Sequence, residues 1–258
     1  MANFLHLQHV NVARGNATVL HDINLQINAG EHIAILGPNG CGKSTLIKTI
    51  TCECYPLAQP ETRVSIFGRE RWDLTELKKR LGVVSSDLPG RPFLQTNGLD
   101  AILTGFFSSS TLWPNLSVTH DMRAHATDVL HQIDAASLAA KPVGEMSAGQ
   151  QRRIMIGRAL VASAGMLLLD EPSNALDLAA QTDLRNLLRK LAQQGTGILL
   201  ITHHIADIIP EIDRILMMQN GRITTDGPKA NLLTAATLSD LFQTHVDLAE
   251  REGYFHAW

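Results

Sequence analysis

Hydrophobic and polar positions alternate in two bursts between Phe4 and Asn28, the second placing Ile23, Leu25 and Ile27 around Asn24 and Gln26. A period of two predicts antiparallel strands with one face in water. Residues 32–37 (HIAILG) form a short apolar run closed by glycine, and from Lys43 onward (KSTLIKTI) the spacing turns helical. Residues 63–68 and 81–84 predict further short strands, whereas 96–141 keeps mainly helical spacing broken by serine and proline, as expected of a helical insertion. Beyond it, 149–161 reads as helix, 166–170 (MLLLD) as a buried strand, 176–194 as an amphipathic helix and 197–202 (GILLIT) as another buried strand. Such alternation predicts a parallel sheet covered by helices. Asn220-Gly221 between two apolar segments predicts a hairpin over 214–225. The tail 232–248 is helical in pattern, and Tyr254, Phe255 and Trp258 crowd the closing GYFHAW.

Composition narrows the picture. The 258 residues are 45% apolar and 18% charged, which excludes a disordered chain and suits one large domain. Twenty-two Lys and Arg against 25 Asp and Glu leave a net charge of −3. That balance offers no global pull toward nucleic acid or anionic lipid, so any phosphate must be held locally and no nucleic-acid partner is expected. The uncharged stretches are too short or too interrupted to span a bilayer, and the first residues lack the pattern of a secretory signal. A cytoplasmic location is the expectation. Cys41, Cys52 and Cys54 are expected to be free thiols packing against a helix, because they provide neither a disulfide framework nor zinc-site spacing.

The candidate chemistry begins at Gly37-Pro38-Asn39-Gly40-Cys41-Gly42-Lys43-Ser44, followed by Thr45. This fits the phosphate loop G-x-x-x-x-G-K-[ST], in the required place between strand and helix. By average residue usage the pattern arises by accident in about one chain of this length in a hundred. Glycines let successive N–H groups turn toward phosphate oxygens, Lys43 reaches the β/γ-phosphates, and Ser44 offers a hydroxyl to Mg²⁺. Alone, the loop signifies only a bound nucleoside triphosphate. Downstream, Asp170 and Glu171 close an apolar strand, the placement that sets one acid beside the metal and another beside the attacking water. Ser147 is a natural N-cap for the helix after it.

The order of phosphate loop, Ser147-Ala148-Gly149-Gln150, apolar run with Asp170-Glu171, Asn174-Ala175-Leu176-Asp177 and Thr202-His203 resembles the ATP-binding cassette (ABC) ATPases over essentially the whole chain. The resemblance implies an α/β P-loop NTPase fold with a mixed parallel core sheet, an N-terminal antiparallel layer and a helical subdomain inserted before the signature. It implies one ATPase domain, with 1–86 and 147–258 as a RecA-like core and 87–146 as the helical subdomain. Ser147–Gln150 would be the signature, Asp177 the D-loop acid and His203 the switch histidine. Asp170 would orient Mg²⁺, and Glu171 would act as general base for water attacking the γ-phosphate of ATP. Two chains would bind head to tail around ATP, the signature acting in trans.

Three positions depart from that pattern. Ala148 stands where the signature has its first glycine, Arg14 where an aromatic residue usually stacks on adenine, and Ser86 where a glutamine usually touches Mg²⁺. Arg14 can itself stack on a base, or be a solvated loop residue with His6 or His9 nearer the base. VVSSDL, LTGFFSS and ITHHIADIIPEI resemble a single-cassette subgroup labelled as molybdenum-transport or photorepair ATPases. Three functions follow from the resemblance. The first is the energy-coupling subunit of a transporter, peripheral on the cytoplasmic face of the membrane through a permease. The others are a soluble ATPase switch and a nucleotide-binding protein that does not hydrolyse.

Overall fold

A computed structural model describes residues 3–85, 88–162 and 164–258. In chain order the first elements are β1 (Asn3–Arg14), β2 (Ala17–Asn28), β3 (His32–Leu36), α1 (Lys43–Ile50), β4 (Arg63–Ile66), α2 (Leu74–Arg80) and β5 (Leu81–Val84). Then come α3 (Gly90–Leu94), α4 (Gly98–Leu103), α5 (His120–Gln132), α6 (Ala148–Leu160), β6 (Met166–Asp170), α7 (Leu178–Gln193) and β7 (Gly197–Thr202). The chain finishes with β8 (Arg214–Gln219), β9 (Arg222–Pro228), α8 (Lys229–Leu232), α9 (Ala235–Phe242), β10 (Leu248–Arg251) and β11 (Tyr254–Ala257). Contacts divide it into two compact units, the segment up to Leu74 with Gly197–Trp258, and Thr75–Thr196.

In the first unit β1 pairs antiparallel with both β2 and β4, in registers such as Leu5↔Ile27 and Leu5↔Ile66. The alternating residues Leu5, Leu7, Ile23, Leu25 and Ile27 are buried, as their period of two requires. β3 lies between β7 and β8, parallel to both. All of β7 and the middle of β8 are buried, which accounts for their unbroken apolar runs. β8 returns antiparallel as β9 through Asn220 and Gly221, with φ of 49° and 73°. Two consecutive positive φ values make the tight turn that follows strand twist.

In the second unit β5 and β6 are parallel, Leu81 opposite Met166 and Val84 opposite Leu169. Helix α6 lies directly against β5, where a Cβ on Gly82 would meet the Ala159 carbonyl oxygen at 2.8 Å. The region 96–141, expected to be helical with interruptions, holds α4, a 3₁₀ turn over Thr104–Phe107, α5 and a 3₁₀ turn over Ala136–Leu138. No helix among the described residues is long and apolar enough to cross a membrane.

Three expectations need correction. Helix α1 stops at Ile50, so Cys52 and Cys54 lie beyond it in a turn where Cys52 takes φ 58°. Only Cys41 is buried, inside the glycine loop rather than on a helix, although all three thiols are free of disulfides. The tail is not helical to Leu248. Gln243 turns left-handed at φ 55° after α9, and Glu252-Gly253, at 55° and 79°, reverse the chain so that β10 pairs with β11.

Candidate functional site

The phosphate loop begins where β3 ends and closes where α1 starts. Gly42 is the N-cap of α1 at φ 108° and ψ 0°, a left-handed conformation open to glycine, and provides no side-chain cap. The first-turn N–H groups of α1 therefore face the loop. Gly37 has no room for a side chain, since a Cβ there would meet the Met218 carbonyl oxygen at 2.4 Å and Cys41 Sγ at 2.7 Å. The β8–β9 turn braces the loop from behind, with the Gly221 N–H donating to the Cys41 carbonyl at 2.9 Å and the His21 N–H to the Gly221 carbonyl at 2.8 Å.

Lys43 is 7% exposed, and its Nζ donates to the carbonyls of Gly37 at 2.6 Å and Pro38 at 3.1 Å. The ammonium is thus folded back onto carbonyl oxygens of its own loop. Ser44 is exposed and Thr45 buried. Arg14 is exposed at the end of the β1–β2 hairpin, opposite Ala17. His6 is half-buried on β1, whereas His9 sits at φ 48° with Nδ1 2.8 Å from Asp22 Oδ1. That contact, followed by one from Asn24, holds the Asp22 carboxyl below its ordinary range.

His203 follows β7, half-buried, and stacks on exposed His204 with ring centroids 3.9 Å apart. The backbone beneath them is pinned: the His204 N–H donates to Thr202 Oγ1 at 2.9 Å, and that hydroxyl donates to Asp207 Oδ2 at 3.2 Å. Thr202 and Asp207 are 0% and 4% exposed. This brace was not read from the sequence, although a threonine five positions before an aspartate around a strand end is its signal.

In the second unit four of the five residues of β6 are buried, and its last residue, Asp170, is half-exposed. Glu171 follows at φ 47° and Ala175 at 63°, so the chain turns sharply after the acids. Asp177 ends that turn as the N-cap of α7, its Oδ1 accepting from the Ala180 N–H at 2.7 Å. Ser147 caps α6 in a reciprocal box. Its Oγ accepts from the Gln150 N–H at 3.3 Å, while Gln150 Oε1 accepts from the Ser147 N–H at 3.1 Å. Gly149 lets the two helix starts meet, since a Cβ there would lie 2.9 Å from Ala180 Cβ. Ser147, Gly149, Gln150, Arg152, Asp177 and Ala180 line one cavity of about 370 Å³. Ser147, Gly149 and Gln150, candidate signature residues, and Asp177, the candidate D-loop residue, are separate in sequence yet line one cavity. Ser86 lies outside the described residues.

Known proteins similar to this chain identify its family. The family model described as ABC transporter matches residues 20–174. Relatives include the hemin import ATP-binding protein HmuV of Hahella chejuensis, 33% identical over 93% of this chain and 92% of its own length. Another is the uncharacterized ABC transporter ATP-binding protein YmeB of Lactococcus lactis, 31% identical over 95% and 94%. Among solved structures, the ADP conformation of MJ1267, an ATP-binding cassette of an ABC transporter, superposes with TM-score 0.80 at 25% identity over 93% of this chain and 98% of that one. A dimeric post-hydrolysis state of the cassette MJ0796 bound to ADP and Pi gives TM-score 0.68 at 26% identity over 87% and 98%. The chain therefore belongs to the ABC transporter family, as an ATP-binding and ATP-hydrolysing cassette.

Proposed function

We propose that two copies of this chain close head to tail on ATP, the phosphate loop of one facing the signature of the other, and that the dimer drives a membrane permease from its cytoplasmic face. The observation that carries this reading is the second-unit cavity. It gathers Ser147, Gln150 and Asp177 on one wall of the second unit. Ser147 and Ala148 are exposed at a helix N-terminus whose free N–H groups suit a γ-phosphate. Residues 1–86 and 147–258 would form the nucleotide core, and 87–146 the helical subdomain.

In this reading Gly37, Pro38, Asn39, Gly40, Cys41, Gly42, Lys43, Ser44 and Thr45 hold the phosphates, and Lys43 exchanges its carbonyl partners for phosphate oxygens. Arg14 stacks on the base. The water oxygen bonds to the γ-phosphorus as the bond to the bridging oxygen breaks, ADP leaves with that electron pair, and Glu171 takes the water proton. His203 contacts the γ-phosphate. The exposed Ser44 hydroxyl and the Asp170 carboxylate are hard oxygen donors of the kind Mg²⁺ takes, so the residues fit that ion. Bound there, Mg²⁺ neutralises charge on the phosphates; Ser86, if it contributes, would do so through its hydroxyl.

The hemin-import names of relatives support an iron-porphyrin cargo for the partner permease, and give no support to the molybdenum-transport or photorepair subgroup. The test of the dimer is light scattering of the Glu171→Gln variant. With Mg-ATP it is expected to double in mass, and Ser147→Arg in the same background to stay monomeric; a monomeric Glu171→Gln protein at saturating ATP would overturn the reading.

A further inference from the structure

A second cavity, of about 600 Å³, lies within the first unit, where the segment after β7 meets the carboxyl-terminal hairpin. Four histidines line it, His203, His204, His245 and His256, with Phe242 and Trp258, and among the described residues no Asp, Glu, Lys or Arg does. The hairpin delivers two of these residues. His256 stands opposite Ala249 in the β10–β11 pair, and Trp258 is fixed by backbone bonds to and from Asp247 at 3.0 and 3.1 Å. Trp258 is nonetheless 70% exposed.

The lining selects a ligand by chemistry. Neutral imidazole suits iron, copper, nickel and zinc, whereas Mg²⁺ and Ca²⁺ ask for the carboxylates this wall lacks. A bare ion would need donors converging at one point, yet neither His245 nor His256 belongs to any set of three donor atoms within 4.8 Å of one another among the described residues. His203 and His204 pair with each other at 3.9 Å between ring centroids, while His245 and His256 stand outside that pair on the wall of a space of the size that organic cofactors occupy. Phe242 and Trp258 add aromatic surface suited to a flat ligand, and the nearest acidic contact recorded for a lining histidine is Asp247 Oδ2, 3.5 Å from His245 Nε2.

We propose that this cavity binds an iron porphyrin, His245 or His256 serving as axial ligand and Trp258 covering the macrocycle. Because His203 stands on the same wall, an occupied cavity engages the histidine that the reading above places at the γ-phosphate, and ATP hydrolysis slows as cargo accumulates. This regulatory half rests on that reading, while the binding half does not.

The experiment is a titration of the full chain with hemin, followed by the Soret band, with ATP hydrolysis measured in parallel. Saturable binding with a shifted Soret band is expected. The double variant His245→Ala/His256→Ala, altered only at exposed positions, should weaken it by about tenfold or more. The same variant should hydrolyse ATP at the parental rate without hemin, which also checks its fold, and should escape inhibition. Unchanged hemin affinity in the variant, or equally tight binding of metal-free protoporphyrin, would overturn the site. Binding without slowed hydrolysis would overturn the regulation alone, whereas the scattering of Glu171→Gln, done without hemin, bears only on the dimer.

Discussion

Glu171 holds its carboxylate on a left-handed backbone at φ 47°, a conformation that costs a residue with a Cβ about 1–2 kcal/mol. The turn persists because β6 before it is buried and Asp177 after it is tied into α7. Strain of that kind gathers where a side chain must be aimed. A positioned base is worth ~10²–10⁴ in rate, so Glu171→Gln should lower turnover by that factor while ATP affinity persists. Phosphate release beside nucleotide binding checks it, and parental turnover would remove Glu171 from the role of base. At this scale the glycine loop, Asp170 and His203 stood out in the sequence as candidates, because the chemistry proposed for them depends on residue type at fixed spacing. The resting place of the Lys43 ammonium and the Thr202–Asp207 brace were not, because both are contacts of a side chain with a folded backbone.

At the scale of elements, local pattern served best where a segment follows one rule throughout. The runs of β3, β6 and β7 read as buried strands, α6 and α7 by helical spacing, and the β8–β9 hairpin by Asn220-Gly221. It served worst in short pieces whose ends are set by neighbours. Helix α2, with only Leu77 buried, left no apolar stripe to read. The β10–β11 hairpin turns on Glu252-Gly253, where Gly253 fits against Pro210, its virtual Cβ 3.1 Å from that ring. Ser147 joins element to site. Ser147→Ala removes the side-chain half of the α6 capping box, at a cost of about 1 kcal/mol. Denaturant melts should register that loss, and Ser147→Asp, which restores a cap but adds a negative charge where a γ-phosphate is proposed, should regain stability without regaining ATP turnover. Recovery of both would assign Ser147 to the helix alone.

The molecule as a whole carries a dependence on pH. His32 opens β3 with Nδ1 buried and unpartnered, and burial holds its pKa below the ordinary 6.5 against the opposing pull of Asp213 and then Glu211. Folded protein keeps this imidazole neutral where unfolded chain protonates it, so stability is full above 6.5 and falls as the pH drops through that value toward the depressed one. Urea midpoints should decline between neutral and mildly acidic buffer, and less steeply for His32→Gln; parallel slopes would exclude His32 as the source. What the sequence determined by itself was the family and the order of the core strands and helices, with the candidate phosphate-handling residues marked out, since periodicity and motif spacing are properties of the chain alone. Tertiary structure decided which distant segments share a wall. Ser147 with Asp177, and His203 with His256, meet through packing between segments far apart along the chain, and no local spacing encodes that meeting.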